Sequence, residues 1–402
     1  MSGFRSFFAA FLIAAGMFSP GALRAECFKI GKTCIGSNDL KAKVRVGNHT
    51  PDLQGLIQFT ELTDLTLMAD LRFKDPVDLS PLSAMPKLER LALVNITAPG
   101  LAPLTRLPGL KRLSLDSVRA PDFTRLARMT QLEHLSIWGA GDVTDLSFAS
   151  SLTRLQSLNI ADSGVSDLSP LSGLTGLEVF LAFNTQISDL GPLAGANLQV
   201  AWISNCPVQS VAALAASDRL EMLRADGTQL KTLDGLQGKP ALHTLILSDT
   251  QVADLTPIME ATGLKELALD GTRISDITPL SGLDALHKLN LTDTAVFSLA
   301  PLAGKNLRVL SLTNTAVSSL AAVANMETLW DFSISGTAVT DLTPLKNLKK
   351  LSILRAIGLP VEALQPLLEV ENLRIVFAGP DFESHKRLLG KEKIAQYIAA
   401  TP

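Results

Sequence analysis

Leucine recurs at a fixed spacing along most of this chain, and that spacing restricts the possible folds more than any other feature. Aligned on LxxLxL, repeat units start at Leu62, Leu88, Leu110, Leu132, Leu155, Leu177, Leu198, Leu220, Leu242, Leu264, Leu286, Leu307, Leu329, Leu351 and Leu373, fifteen in all. Most steps are 22 residues, with 21 before Leu198 and Leu307, 23 before Leu155 and 26 before Leu88. A length of 402 residues by itself suggests two or three domains. A repeat array is instead one continuous body whatever its length.

The unit LKELALDGTRISDITPLSGLDA, from Leu264 to Ala285, shows the local logic. Leu267 and Leu269 at positions 4 and 6 alternate with Glu266, Ala268 and Asp270, the period-two signature of a strand with one buried face. Position 8 is mostly Asx or Gly (Asp162, Asn184, Asn205, Gly227, Asp249, Gly271), residues that tolerate the turn a chain makes on leaving a strand. Ile274 and Ile277 then point inward, and Thr278-Pro279-Leu280 reads as a cap followed by proline at a first helical position. No unit has enough apolar surface to fold alone, so the strands stack in parallel and the leucines form one core. The expected fold class is an α/β-type repeat solenoid, a curved horseshoe with a parallel concave β-sheet and short 3-10 or helical turns on the convex side.

Units such as LHTLILSDTQVADLTPIMEATG, from Leu242, resemble the short 22-residue leucine-rich repeats of bacterial internalin-type proteins. The resemblance covers residues 62–378 and implies the horseshoe fold far more specifically than any function. Position 9, usually Asn in that family, is here Thr185, Thr228, Thr250, Thr272, Thr294, Thr315, Thr337 or Cys206. An asparagine ladder is therefore replaced by hydroxyls with fewer hydrogen-bonding atoms.

The ends differ from the repeats. Arg5, an apolar stretch from Phe7 to Phe18 and the small-residue segment ending at Ala25 have the order of a secretory signal peptide over residues 1–25. An uncleaved anchor is the alternative, although the apolar stretch is short for a span. Export, to the periplasm or beyond, is the expectation, and Cys27 and Cys34 would there be able to form a disulfide. Cys206 reads as a buried structural thiol. Residues 26–61 are the expected N-terminal cap, 62–378 the solenoid, and 379–402 a C-terminal cap helix and tail. Leu388, Leu389, Ile394, Tyr397 and Ile398 lie there among Lys386, Arg387, Lys391 and Lys393. That pattern reads as an amphipathic lid over the last leucines, or alternatively as a membrane-binding helix.

No catalytic constellation is visible: there is no GxSxG, phosphate-binding glycine loop, HExxH or paired CxxC. The five histidines are dispersed, and His243 and His287, two rungs or roughly 10 Å apart, are too far separated to share a metal. The Asp column at position 13 (Asp167, Asp189, Asp254, Asp276, Asp341, with Asp145 aligned to it) reads as turn caps rather than a calcium ladder. No catalytic residue, metal, cofactor or small-molecule substrate is expected. A net charge of -3 with interleaved signs gives no basic stripe for nucleic acid. Apolar runs stay short of about 20 residues, so no integral membrane segment is expected after signal cleavage.

The concave face, positions 3, 5 and 7 of each unit, is mostly small or polar, as in Lys288, Asn290 and Thr292. Across the units that start between Leu132 and Leu242 it carries His134, Trp138, Val179, Leu181, Phe183, Val200, Trp202, Met222, Arg224, Asp226 and Ile246. Apolar patches of this kind usually mark binding sites. The competing reading is that these side chains cover one another, or that the register slips at the 21-residue step and turns them inward. The functional expectation is an exported, non-enzymatic module that recognises a protein partner through its concave face. The alternative is a structural or self-associating envelope scaffold.

Overall fold

Each repeat opens with a short strand, three residues long at positions 3 to 5 in most units and up to position 7 in units such as Arg90–Val94, before the chain turns at position 8. The computed structural model describes residues 27–30, 33–36, 39–46 and 53–400. The signal span, residues 1–25, and the side chains of Cys27 and Cys34 fall outside the described residues. A hairpin of Cys27–Ile30 and Thr33–Gly36 comes first. Seventeen strands then follow in chain order as one sheet, from Lys41–Val46 to Lys386–Leu389. Neighbours are parallel until the last pair, where Lys386–Leu389 runs antiparallel to Ile375–Gly379. No ladder among the described residues joins the last strand back to the first, so the sheet is open. Equivalent positions pair strand after strand, as in Leu245 with Leu267 and Leu267 with Leu289.

The sheet runs past the aligned repeats at both ends. Lys41–Val46, within the span read as a cap, adds a strand because Val44 and Val46 alternate with Lys43 and Arg45 and so supply one buried face. At the other end, residues read as wholly helical divide into the strand Lys386–Leu389 and a helix, Gly390–Ala400. Ile394 is fully buried at the last repeats, with Tyr397 and Ile398 partly buried against the same core.

The leucine columns form one apolar cluster from Ile35 to Ile394, and Leu267 and Leu269 have no exposed surface. At position 8 the backbone takes positive φ in successive units, from Asn95 through Asp162, Asn184 and Asn205 to Gly336. Left-handed geometry costs most L-residues about 1–2 kcal/mol, which selects Gly, Asn and Asp there. The Thr column is satisfied within its own repeat: Thr185 Oγ1 donates to the Ala182 carbonyl at 2.7 Å, Thr250 to Leu247 at 2.8 Å and Thr315 to Leu312 at 2.7 Å. Cys206 instead reaches back one repeat, with Sγ 3.1 Å from the Ala182 carbonyl and 3.2 Å from Thr185 Oγ1. Burial pushes its thiol pKa up, against the opposing effect of the Thr185 hydrogen bond.

On the convex side short 3-10 turns such as Thr278–Gly282 carry Pro near their starts. Their cap differs from the sequence reading. The side chain of Thr278 does not cap; Asp276 Oδ1, two residues earlier, accepts the Thr278 N–H at 2.8 Å. Asp145, Asp167, Asp189, Asp254 and Asp341 do the same for the residue two positions on. A carboxylate is the better acceptor for an orphan N–H at a turn start, because charge strengthens the bond.

Two lysines occupy an apolar column of this convex layer. The Lys239 side chain is 1% exposed and the Lys305 side chain 3%. Lys239 Nζ donates to the Ala215 carbonyl at 2.6 Å and lies 3.4 Å from Asp218; Lys305 Nζ donates to the Ser281 carbonyl and lies 2.7 Å from Asp284. The stems pack in the core while each ammonium reaches the surface carboxylate of the preceding unit.

Candidate functional site

Strand register builds the concave patch. Val179, Val200 and Met222 are paired at position 3 of adjacent strands, while Leu181, Trp202, Arg224 and Ile246 are paired at position 5. Phe183 and Asp226 stand at position 7 of the same units. Nine of the eleven residues singled out in the sequence thus lie in four neighbouring units, seven on the strands and Phe183 and Asp226 just past them. His134 and Trp138 do not join them, because the strand Ser157–Asn159 lies between.

No slip occurs at the 21-residue step, since Ala201 at position 4 is buried and Trp202 at position 5 faces outward. The patch is nonetheless partly self-covering. Phe183 and Trp202 stack with ring centroids 4.4 Å apart and planes tilted by 32°, and the Arg224 guanidinium sits 4.4 Å from the Trp202 ring centre. Trp202 Nε1 donates to Ser204 Oγ at 2.7 Å, and Ser204 Oγ donates to Asp226 Oδ1 at 2.6 Å. Arg224 Nε lies 3.7 Å from the same carboxylate. Trp202 is half-buried, sandwiched between an aromatic ring and a cation. Val200 and Ile246, expected to be exposed, are only 7% and 9% accessible because neighbouring side chains close over them.

Trp138 is more open, at 43% exposed, and its indole N–H donates to Asp162 Oδ2 at 2.5 Å. Asp162 begins a run of position-8 side chains: Asn184 Nδ2 donates to Asp162 Oδ1 at 2.7 Å, and Asn205 Nδ2 to Asn184 Oδ1 at 2.8 Å. His134, half-buried, has its pKa lowered by burial and then by the Arg112 charge, against Glu133 and Glu178. Burial raises the pKa of Asp116 at position 7, and the neighbouring Ser114 hydroxyl and the Ser136 hydroxyl, which donates to Oδ1 at 3.0 Å, oppose that shift.

From Glu266 to Ser333 the face is hydrophilic, and it turns apolar again at Ile353, Ile375 and Phe377, where the Arg355 guanidinium sits 5.7 Å from the Phe377 ring centre. Asp270 Oδ1 accepts from Ser248 and Asn290 at 2.7 and 2.8 Å. Hydroxyls then link Thr292 to Ser311 at 2.7 Å and Thr313 to Ser333 at 2.6 Å. Ser204 and Asp162 hold the two indoles; Ser204 was not singled out in the sequence and Asp162 was read there only as a turn residue, because a polar residue at position 7 or 8 looks like any other in its column. Among the described residues no three His, Cys, Asp or Glu side chains converge as metal ligands would, and no helix is long and apolar enough to cross a membrane.

This architecture is the leucine-rich repeat fold. A family model described as leucine-rich repeats in two copies matches residues 153–195. No curated protein matches the chain. Among solved structures, an internalin of Listeria monocytogenes is similar with 23% identity and a TM-score of 0.63, over 80% of this chain and 89% of that one. A leucine-rich repeat protein of Leptospira interrogans is similar with 17% identity and a TM-score of 0.72, over 83% and 90%. The plant peptide hormone receptor RGFR1, in complex with RGF2, is similar with 12% identity and a TM-score of 0.61, over 85% and 66%. The chain is a leucine-rich repeat solenoid with the internalin-like fold.

Proposed function

We propose that this chain is an exported, non-enzymatic recognition module that grips a protein partner on its concave face, at the four strands from Val179–Leu181 to Thr244–Ile246. The observation that carries the reading is the Phe183–Trp202–Arg224 stack, with Leu181 and Met222 beside it, facing the small and polar strands that follow from Glu266 to Ser333. Aromatic and Arg side chains dominate protein interfaces, and anchors held in place before binding lose less entropy on association. A complex such as that of RGFR1 with RGF2 supports the use of this fold for polypeptide recognition.

The test is quantitative capture of native partner by wild type, Trp202→Ala, Phe183→Ala and Lys288→Ala. Each aromatic truncation is expected to cost at least about 2 kcal/mol of binding, with Lys288→Ala near neutral. Their stability loss should stay near roughly 1 kcal/mol, the worth of a stacked pair or cation–π contact outside the leucine core. Early melting by several kcal/mol would make them core residues, and normal binding by both would move the interface elsewhere.

A further inference from the structure

The strand starts form one edge of the solenoid, and position 2 there changes character along the chain. Glu221 is followed, one unit at a time, by His243, Lys265, His287, Arg308 and Trp330. These five are consecutive rungs: the Lys265 N–H donates to the His243 carbonyl at 2.8 Å, His287 to Lys265 at 2.9 Å, Arg308 to His287 at 2.7 Å and Trp330 to Arg308 at 3.0 Å.

Every side chain in the row bears nitrogen that can donate a hydrogen bond, and none bears a carboxylate. Lys265 and Arg308 are exposed and have no acceptor among the described residues. Trp330 is 43% exposed, and its indole N–H likewise has no partner there. His287 commits Nδ1 to the Ala285 carbonyl, leaving Nε2. Nearby carboxylates are already used, Asp284 by Lys305 at 2.7 Å and Glu266 by Lys288 at 2.5 Å, while Glu327 is left as a local counter-charge.

We propose that this edge docks an acidic polypeptide segment lying along the solenoid, with its carboxylates on Lys265 and Arg308 and its ends near His243 and Trp330. Four rung steps at about 4.8 Å span about 19 Å, which roughly six extended residues cover at about 3.3 Å each. A finite segment fits better than a long polyanion. Past His243 the same edge presents Glu221, Gln199, Glu178, Gln156 and Glu133, with Glu178 and Glu133 paired with Arg219 at 3.7 Å and Lys111 at 3.3 Å. A continuous chain of phosphates or sulfates would run onto Glu221 in that direction, and in the other direction would meet the uncharged Trp330 and Ser352 before the next cation, Arg374. The surface is separate from the concave patch, so either assignment stands without the other.

The probe is fluorescein-labelled hexaglutamate, with hexaglutamine, single-stranded dT20 and dextran sulfate as comparators, titrated at low and high salt. Hexaglutamate should bind at low salt, weaken as salt screens the charges, and bind Lys265→Glu/Arg308→Glu at least about tenfold more weakly. Melting of that variant should match wild type, and Trp202→Ala should bind the probe normally. The proposal is overturned if hexaglutamate does not bind, if charge reversal leaves its binding unchanged, or if Trp202→Ala abolishes it. Binding of dT20 or dextran sulfate without hexaglutamate would instead assign the edge to a long polyanion and also overturn it.

Discussion

The convex aspartates show how much one side chain contributes when it recurs. Hydrogen bonds from the Thr278 side chain and backbone hold the Asp276 carboxyl pKa below its ordinary value of 3.8, and Asp167, Asp254 and Asp341 are lowered the same way. A depressed folded-state pKa means that the ionised form favours the fold. The contribution is therefore complete above the ordinary carboxylate range and lost as pH falls through the lowered values. The melting temperature should drop on acidification from about pH 5 toward pH 2. Asp276→Asn should melt slightly lower at neutral pH and show a shallower acid loss, because its amide oxygen accepts the same bond without titrating. An acid limb as steep as wild type would show that this carboxyl does not contribute. The column was legible in the sequence because it is periodic. Lys239 and Lys305 were not, since their carboxylate partners belong to the preceding unit and only packing brings them together.

At the scale of the repeat, the turn after the strand is the least tolerant element. Gly271 has φ +69°, and a Cβ there would stand 2.4 Å from Asp249 Oδ1 of the preceding unit. Gly271→Ala therefore combines left-handed strain with a collision, and should lower stability by at least about 1–2 kcal/mol in urea unfolding. Asp249 itself has φ +57°, so Asp249→Gly is compatible with the backbone. In that background the Gly271→Ala penalty should shrink to the strain alone, and an undiminished penalty would show that the carboxylate is not the obstacle. The concave patch was legible as a set of outward positions, because strand alternation decides which face a residue takes. Its inner organisation was not legible. Phe183, Trp202 and Arg224 sit at positions 7, 5 and 5 of three units, and rotamers rather than spacing bring them into one stack.

For the whole molecule the shared core makes a local insult costly. Leu267 is fully buried between Leu245 and Leu289 on the neighbouring strands. Leu267→Asp places an unpaired carboxylate among leucines, and should cost more than about 4 kcal/mol or prevent folding. Circular dichroism melts beside Lys265→Ala, an exposed change expected within about 0.5 kcal/mol, check it. Similar melts for the two would contradict the strand register. The fold was legible at this scale because fifteen units repeat one pattern. The end strands were missed because Lys41–Val46 and Lys386–Leu389 pair with the sheet without carrying the LxxLxL signature.

The open ladder also sets where the protein breathes. An interior rung has a partner on each side, whereas the first and last rungs have one, so opening in such an array starts at the ends and advances inward. The strands bearing the Phe183 stack are the seventh to ninth of the seventeen, near the middle of the sheet. Backbone amides of those strands would then exchange with solvent last, and the surface that has to keep three side chains in one fixed stack rests on the slowest-exchanging part of the solenoid.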